Sequence, residues 1–173
     1  TGVLTDLAGQ VLGTHIVEHA IEFPATGWAE HDADAVWWGD VVSVCQGLLS
    51  GKYSGKDVAA VGISTVGPCV VPLDRKGRPL RKGILYGIDT RAASEIDHLT
   101  EVVGEEELLA FSGMTLTSQA IGPKILWLRH NEPELWRETR WLTSASGYVI
   151  HMLTGEHVLD RHTASHFMPL LDI

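Results

Sequence analysis

The sequence predicts an α/β domain, a mixed sheet flanked by helices, and three observations carry that expectation. The chain opens with β-branched, roughly alternating segments; one strongly periodic amphipathic helix follows; and beyond Thr90 short strands are interleaved with helical runs. The 173 residues are 45% hydrophobic and 20% charged, with 18 Gly and 7 Pro, a composition of globular rather than disordered or membrane type. One compact domain of this length buries roughly two thirds of its unfolded surface, so neither disulfide nor metal is needed to hold it.

Val3, Leu4 and Leu7, a turn at Ala8 and Gly9, and the stretch from Val11 to Phe23 predict a two-stranded hairpin. Pro24 to Gly27 stops the second strand. Asp32 then stands as an N-cap before Val36, Trp37, Val41, Val44, Cys45, Leu48 and Leu49, whose spacing predicts a helix from Asp32 to Leu49 with Trp37 or Trp38 buried. Gly51 to Gly55 closes it. Val58 to Ser64, Val70 to Leu73 and Ile84 to Ile88 read as short strands, the last two separated by a turn at Asp74 to Gly77. Helices are expected over Arg91 to Val102, Glu105 to Phe111, Pro123 to Leu128 and Leu135 to Arg137. Trp141 and Leu142 form a strand, Ser144 caps a helix from Ala145 to Leu153 that Gly155 ends, and His157 to Leu159 form a last strand.

Charge excludes several classes of function. Thirteen Lys and Arg face 22 Asp and Glu, a net −9, so the field of the chain repels nucleic acid and anionic membrane. No apolar stretch reaches the ~18 residues of a membrane span and no secretory leader opens the sequence. Cys45 and Cys69 both sit in apolar runs, as buried small hydrophobes of a reducing compartment, and cytoplasm is the expected location.

Local motifs for other chemistries fail on geometry. His15, Glu18 and His19 spell an inverted zinc-protease pattern, but that site needs a helix, and in a strand residues four apart lie ~13 Å from each other. His157, Asp160, His162 and His166 have no recognised ligand spacing. Gly62, Ser64 and Gly67 do not form a nucleophile elbow, and no Walker loop occurs. Arg75, Lys76, Arg78, Arg81 and Lys82 straddle a turn and read as a solvated hairpin face rather than a phosphate site.

The order of several short segments is more specific than any one of them. Gly27-Trp28-Ala29-Glu30-His31-Asp32 followed by Trp37-Trp38 resembles the G-W-x-E-x-D…W-W segment of the FGGY carbohydrate kinases. Val61-Gly62-Ile63-Ser64 with Leu73-Asp74…Gly77…Pro79-Leu80, and Ile84-Leu85-Tyr86…Asp89-Thr90-Arg91-Ala92, resemble the segments that follow in that family. Pro123-Lys124-Ile125-Leu126-Trp127-Leu128 with Asn131-Glu132-Pro133-Glu134, and Leu153-Thr154-Gly155-Glu156, are similar to its P-K-L-L-W…N-E-P-E and L-T-G-E runs.

The resemblance implies a ribonuclease H-like domain of the actin-like ATPase fold. It implies transfer of the γ-phosphoryl group of ATP, with Mg²⁺, to a hydroxyl of a sugar or polyol by the parent protein. Residues 1–173 would then be part of the N-terminal, sugar-binding domain, with the first strand and its D-x-G-T phosphate loop upstream of Thr1 and the catalytic Asp downstream of Ile173. No catalytic residue and no metal ligand is expected within the chain. Its share of the site would be the loop Thr65-Val66-Gly67-Pro68, where xylulose kinases carry Q-M-H and glycerol kinases Q-R-E, together with Tyr86, Asp89 and Arg91. Each has a plainer alternative: a tight turn for the loop, a core aromatic for Tyr86, mutual pairing for Asp89 and Arg91. A noncatalytic sugar-binding or regulatory module of the same fold is the competing function. The expected partner is a small sugar or polyol, and a homodimer stays open.

Overall fold

The computed structural model describes residues 1–170. Strands β1 (Gly2–Thr5) and β2 (Val11–His15) pair antiparallel, Val3 opposite Thr14. Their turn is built by Asp6, whose carboxylate accepts from the amides of Ala8 and Gln10, each at 2.9 Å, while Gly9 adopts φ 82°. The expected strand to Phe23 stops at His15 because Gly2, the first residue of β1, already pairs there. The chain rejoins a ladder at Glu22, which exchanges two backbone hydrogen bonds with Glu30.

Asp32 starts the first helical segment as expected, its Oδ1 accepting from the Ala35 amide at 2.8 Å. One wide turn over Ala33–Trp38, closed by the Gly39 amide on the Asp34 carbonyl, leads into α1 (Gly39–Leu49). Trp37 is buried and Trp38 half-buried. Helix α1 lies across the hairpin, with Val44 and Leu48 against Gly2 and the His15 ring against Gly47.

Strand β3 (Glu30–His31) pairs antiparallel with β5 (Gly83–Ile84), and β4 (Val71–Leu73) with β6 (Trp141–Thr143). Val70 and Ile84 exchange hydrogen bonds of 3.1 and 2.9 Å and join the two pairs. Side chains alternate across this layer, as strand geometry requires. Val71, Leu73 and Leu85 pack with Ala33, Trp37, Tyr148 and Val149 on one face. Val70 and Ile84 pack with Ile121, Ile125, Trp127, Leu128 and Phe167 on the other. Helices therefore cover both faces, the α/β arrangement expected.

The remaining helices are α2 (Ala93–Val103), α3 (Glu105–Ser112), α4 (Gly122–Asn131), α5 (Pro133–Glu138), α6 (Ala145–Thr154) and α7 (Arg161–Ser165). Ser144 caps α6 through the Gly147 amide at 3.1 Å, and Gly155 ends it at φ 79°. Among the described residues no helix is long and apolar enough to cross a membrane.

Four expectations are corrected. Val58 to Ser64 forms no ladder, and Ala59 to Val66 make no backbone–backbone hydrogen bond among the described residues. The strand at His157 to Leu159 is absent: the His157 ring is stacked between Trp141 and His151, at 4.0 and 4.1 Å, and Asp160 caps α7 instead. Cys45 is exposed on α1, whereas Cys69 is fully buried and its thiol is pushed up to about 11 by that burial. Arg81, read as part of a solvated face, is nearly enclosed.

Candidate sugar site

Strand β5 carries the chain into the site. Beyond Ile84 and Leu85, both buried, Tyr86 is half-buried, and Gly87 at φ 76° turns the backbone sharply, the Ile88 amide bonding the Tyr86 carbonyl at 2.8 Å. The Tyr86 ring rests on Gly67. A methyl group at position 67 would come within 2.8 Å of both Cδ1 and Cε1 of that ring. The loop and Tyr86, separate in sequence, are thus one surface. Thr65 and Val66 are exposed, Gly67 is half-buried, and Pro68 is buried and turned into the fold. Cys69 anchors the loop, its Sγ 3.1 Å from the Gly67 carbonyl oxygen.

Asp89 and Arg91 are brought close to this surface but lie beneath it. Both side chains are fully enclosed, and Arg91 Nε and Nη2 donate to the Asp89 carboxylate at 2.7 to 3.0 Å. Asp89 Oδ2 also accepts from the Ala29 amide at 2.6 Å. Arg91 reaches Glu30 at 2.8 Å, and Arg81 joins Glu30 to Glu132. The Arg91 guanidinium stacks 4.1 Å from the Trp28 ring and lies 5.1 Å from Trp127. Of the two alternatives for Asp89 and Arg91, mutual pairing is the one found.

Most segments on which the resemblance was argued meet in this network: Trp28 and Glu30 from the first, Asp89 and Arg91 from the third, Trp127 and Glu132 from the fourth. Glu30 and Glu132 stand in the quoted segments and Arg81 in the basic run, but none of the three was expected as a site residue. A charged residue that folds inward has no period of its own, and these three stand among other polar residues, so local spacing carried no signal for them.

A turn from a distant element completes the surface. Ser118 Oγ donates to the Gly87 carbonyl at 2.7 Å, and the Gly87 amide donates to the Ser118 carbonyl at 3.2 Å. Lys124, in the first turn of α4, donates from Nζ to the same Ser118 carbonyl. Burial lowers the Lys124 ammonium to about 8, opposed by the attraction of Asp89. Gln119, exposed beside Ser118, stands next to the Tyr86 turn.

A second concavity, of about 620 Å³, lies between β1, α1 and the segment from Val58 to Val66. His19, His31 and Asp40 line it. His19 Nδ1 is 2.5 Å from Asp40 Oδ2, and the buried His31 ring, 4.9 Å from His19, accepts from Trp37 Nε1 at 3.3 Å and leaves Nε2 without a partner among the described residues. Burial, then His19, holds His31 below the ordinary imidazole range. The residues of the zinc-like motif do not share a helix, since His15 ends β2 and His19 follows in irregular chain.

The basic run is also accounted for. Arg78 pairs with Asp74 at 2.7 Å, Lys82 with Glu22 at 2.5 Å, and Arg81 with Glu30 and Glu132. Three of its five cations are therefore already neutralised within the chain.

Comparison with known proteins is consistent with this arrangement. The chain matches the N-terminal domain of the FGGY family of carbohydrate kinases over residues 2–173. It is similar to a glycerol kinase of Janthinobacterium sp. (strain Marseille), 31% identical over 168 residues, covering 94% of this chain and 34% of the relative. It is also similar to a xylulose kinase of Lactococcus lactis subsp. lactis (strain IL1403), 31% identical over 160 residues, covering 89% and 30%. The chain thus spans about a third of the length of the curated relatives it matches. Among solved structures it superposes on a xylulose kinase from Rhodospirillum rubrum with a TM-score of 0.87 and 29% identity, over 99% of this chain and 35% of that one. It shares its fold with the ADP-bound glycerol kinase of Plasmodium falciparum, at a TM-score of 0.89 and 23% identity, over 99% and 35%. The expected actin-like ATPase architecture is therefore present, and the chain belongs to the FGGY family of carbohydrate kinases, of whose N-terminal domain it forms part.

Proposed function

We propose that the protein to which this chain contributes phosphorylates a hydroxyl group of a small sugar or polyol with ATP and Mg²⁺, and that this chain supplies one wall of the sugar site. The observation that carries the reading is the Tyr86 ring resting on Gly67. It joins the substrate loop implied by the family resemblance to an aromatic plate suited to the apolar face of a sugar. Thr65, Val66 and Gly67 offer one hydroxyl and backbone groups beside that plate, while Pro68 shapes the loop from below. Asp89 and Arg91, fully enclosed, brace β3 and the turn beyond Tyr86 rather than presenting groups to substrate.

The described residues do not fit the phosphates or the magnesium ion. No group of three His, Cys, Asp or Glu side chains among them could hold a metal, and the basic run is largely paired. On this reading the phosphoryl donor and the catalytic base belong to parts of the protein outside residues 1–170, and this chain binds and orients the acceptor. The concavity beside β1 supports the same reading of domain organisation. Among the described residues its walls are β1, which pairs on one side only, and the segment from Ala59 to Val66, which has no backbone partner, so the place accommodates one further strand of the complete domain. The two free cysteines suit a cytoplasmic setting.

The test is an ADP-coupled assay of the full-length protein against pentuloses, hexuloses, aldonates and alditols. ADP release with one class is expected. Silence across the panel would overturn the kinase reading, and sugar binding without ADP release would establish the noncatalytic module instead.

A further inference from the structure

Lys124 is an expensive residue to place where it lies. It is 1% exposed, and in the first turn of α4 the helix end repels a cation. Its ammonium has three donors, yet among the described residues it makes one hydrogen bond, to the Ser118 carbonyl oxygen. The groups in electrostatic reach are Asp89 and Cys69, which favour the charge, and Arg91, which opposes it. A buried apolar side chain would satisfy packing alone at lower cost.

The single bond falls at a junction. The Ser118 carbonyl also receives the Gly87 amide at 3.2 Å, and Ser118 Oγ donates to the Gly87 carbonyl at 2.7 Å. Gly87 is the positive-φ residue directly after Tyr86, so its position sets where the Tyr86 ring meets Gly67. Two hydrogen bonds thus lock the turn carrying Gln119 to the turn carrying Tyr86, and the Lys124 bond to the Ser118 carbonyl closes the lock from the interior.

We propose that Lys124 is a positioning residue for sugar binding: through the Ser118 carbonyl it fixes the Gly87 turn and thereby holds Tyr86 and Gln119 in register on the sugar-facing surface. The inference rests on the sugar-site reading above. Lys124 itself does not touch the sugar.

The experiment compares wild type with Lys124→Met and Ser118→Ala in the full-length protein, by kinetics and by amide hydrogen exchange at Gly87. Lys124→Met should accelerate Gly87 exchange about tenfold or more and raise the sugar KM by at least ~5-fold, with the ATP KM unchanged and kcat within about twofold. Ser118→Ala should move both quantities in the same direction by less, and if Lys124→Met fails to fold, Lys124→Gln, which removes the charge and shortens the side chain, is read in its place with the same outcomes deciding. Wild-type Gly87 protection in a folded Lys124→Met protein would overturn the proposal, as would parallel increases in both KM values. Faster exchange with an unchanged sugar KM would overturn it too. In that case Tyr86→Ala separates the causes: a raised sugar KM leaves the site reading standing without Lys124, and an unchanged one removes the site reading as well.

Discussion

Tyr86 and Gly67 make one contact with two testable sides. Losing the ring in Tyr86→Ala removes a half-buried packing surface, so kcat/KM for the sugar should fall by ~5- to 150-fold, about 1–3 kcal/mol, with a small change in melting temperature. A melting loss of the size seen for core aromatics, ~3–5 kcal/mol, with unchanged kinetics would return Tyr86 to the core. Gly67→Ala forces its new methyl group against the ring at 2.8 Å and should lower sugar affinity by displacing Tyr86. If so, the double variant is no worse than Tyr86→Ala alone, a coupling that a double-mutant cycle measures directly. The contact was not legible in the sequence. Tyr86 could be placed at a strand end, but nothing in local spacing says which loop a strand end meets. The Asp89–Arg91 pair was legible as an alternative because two residues on one turn can bond each other, whereas Glu30, Arg81 and Glu132 enter from separate elements.

At the scale of elements, helices were more fully legible than strands: β1, β2, β4 and β6 lie where strands were expected, but other expected strands do not form, for a physical reason. Helices α4 and α6, and the wide turn that leads into α1, declare themselves by local spacing and by Pro123, Ser144 and Asp32 at their starts. Strands exist only where a neighbour supplies hydrogen bonds, so Val58 to Ser64 has the composition of a strand and no ladder, the expected strand Ile84 to Ile88 shrinks to Gly83–Ile84, and β3 arises where none was expected. Helix α4 also carries a titration that reports on its buried end. Lys124 falls from the ordinary 10.5 to about 8 through burial, so between those values the unfolded chain holds a proton that the folded one has released. Stability from this group therefore rises as pH passes from about 8 towards 10.5. Cys69 acts oppositely: its thiol rises from 9.0 to about 11, so above pH 9 the unfolded chain loses the proton first and stability falls. Between pH 7.5 and 9 the Lys124 effect stands nearly alone. Urea unfolding should show wild type gaining ~1 kcal/mol over that interval relative to Lys124→Met. Equal slopes in the two proteins would mean that Lys124 is solvated.

Across the whole molecule, one buried ion network ties the early strands to the later helices. Glu30 on β3, Arg81 before β5, Asp89 and Arg91 beyond it, and Glu132 at the start of α5 are joined around Trp28 and Trp127. Removing Asp89 leaves the enclosed Arg91 guanidinium with Glu30 alone, a carboxylate that Arg81 already shares. Asp89→Asn should accordingly cost ~3–5 kcal/mol in denaturant unfolding, far more than an exposed carboxylate would. The cost should shrink in the Asp89→Asn, Arg91→Met double variant, which no longer strands the guanidinium. Unchanged stability in the single variant would show that the pair is solvated in solution. The network also explains why scattered segments that resemble family signatures meet: three of the five hold the frame, while Tyr86 and the loop residues Thr65 and Val66 reach its surface.

The frame leaves one side open. Val3, 53% exposed, and Val61, 61% exposed, both line the 620 Å³ concavity, and among the described residues neither β1 nor the segment from Ala59 to Ser64 has a backbone partner facing it. Unpaired strand edges lined with apolar residues are regions of low local stability and ready acceptors of another strand. In the 173-residue chain the amides from Ala59 to Ser64 should therefore exchange within the fast class, while those of β4 and α6 are retained. In the complete domain, with a strand seated between the two walls, the same amides should gain protection of at least about tenfold and Val61 should be shielded. Hydrogen exchange on both polypeptides measures this directly. Fast exchange from Ala59 to Ser64 in the complete domain would mean that no strand fills the gap, and the concavity would then have to be explained as a cavity in its own right.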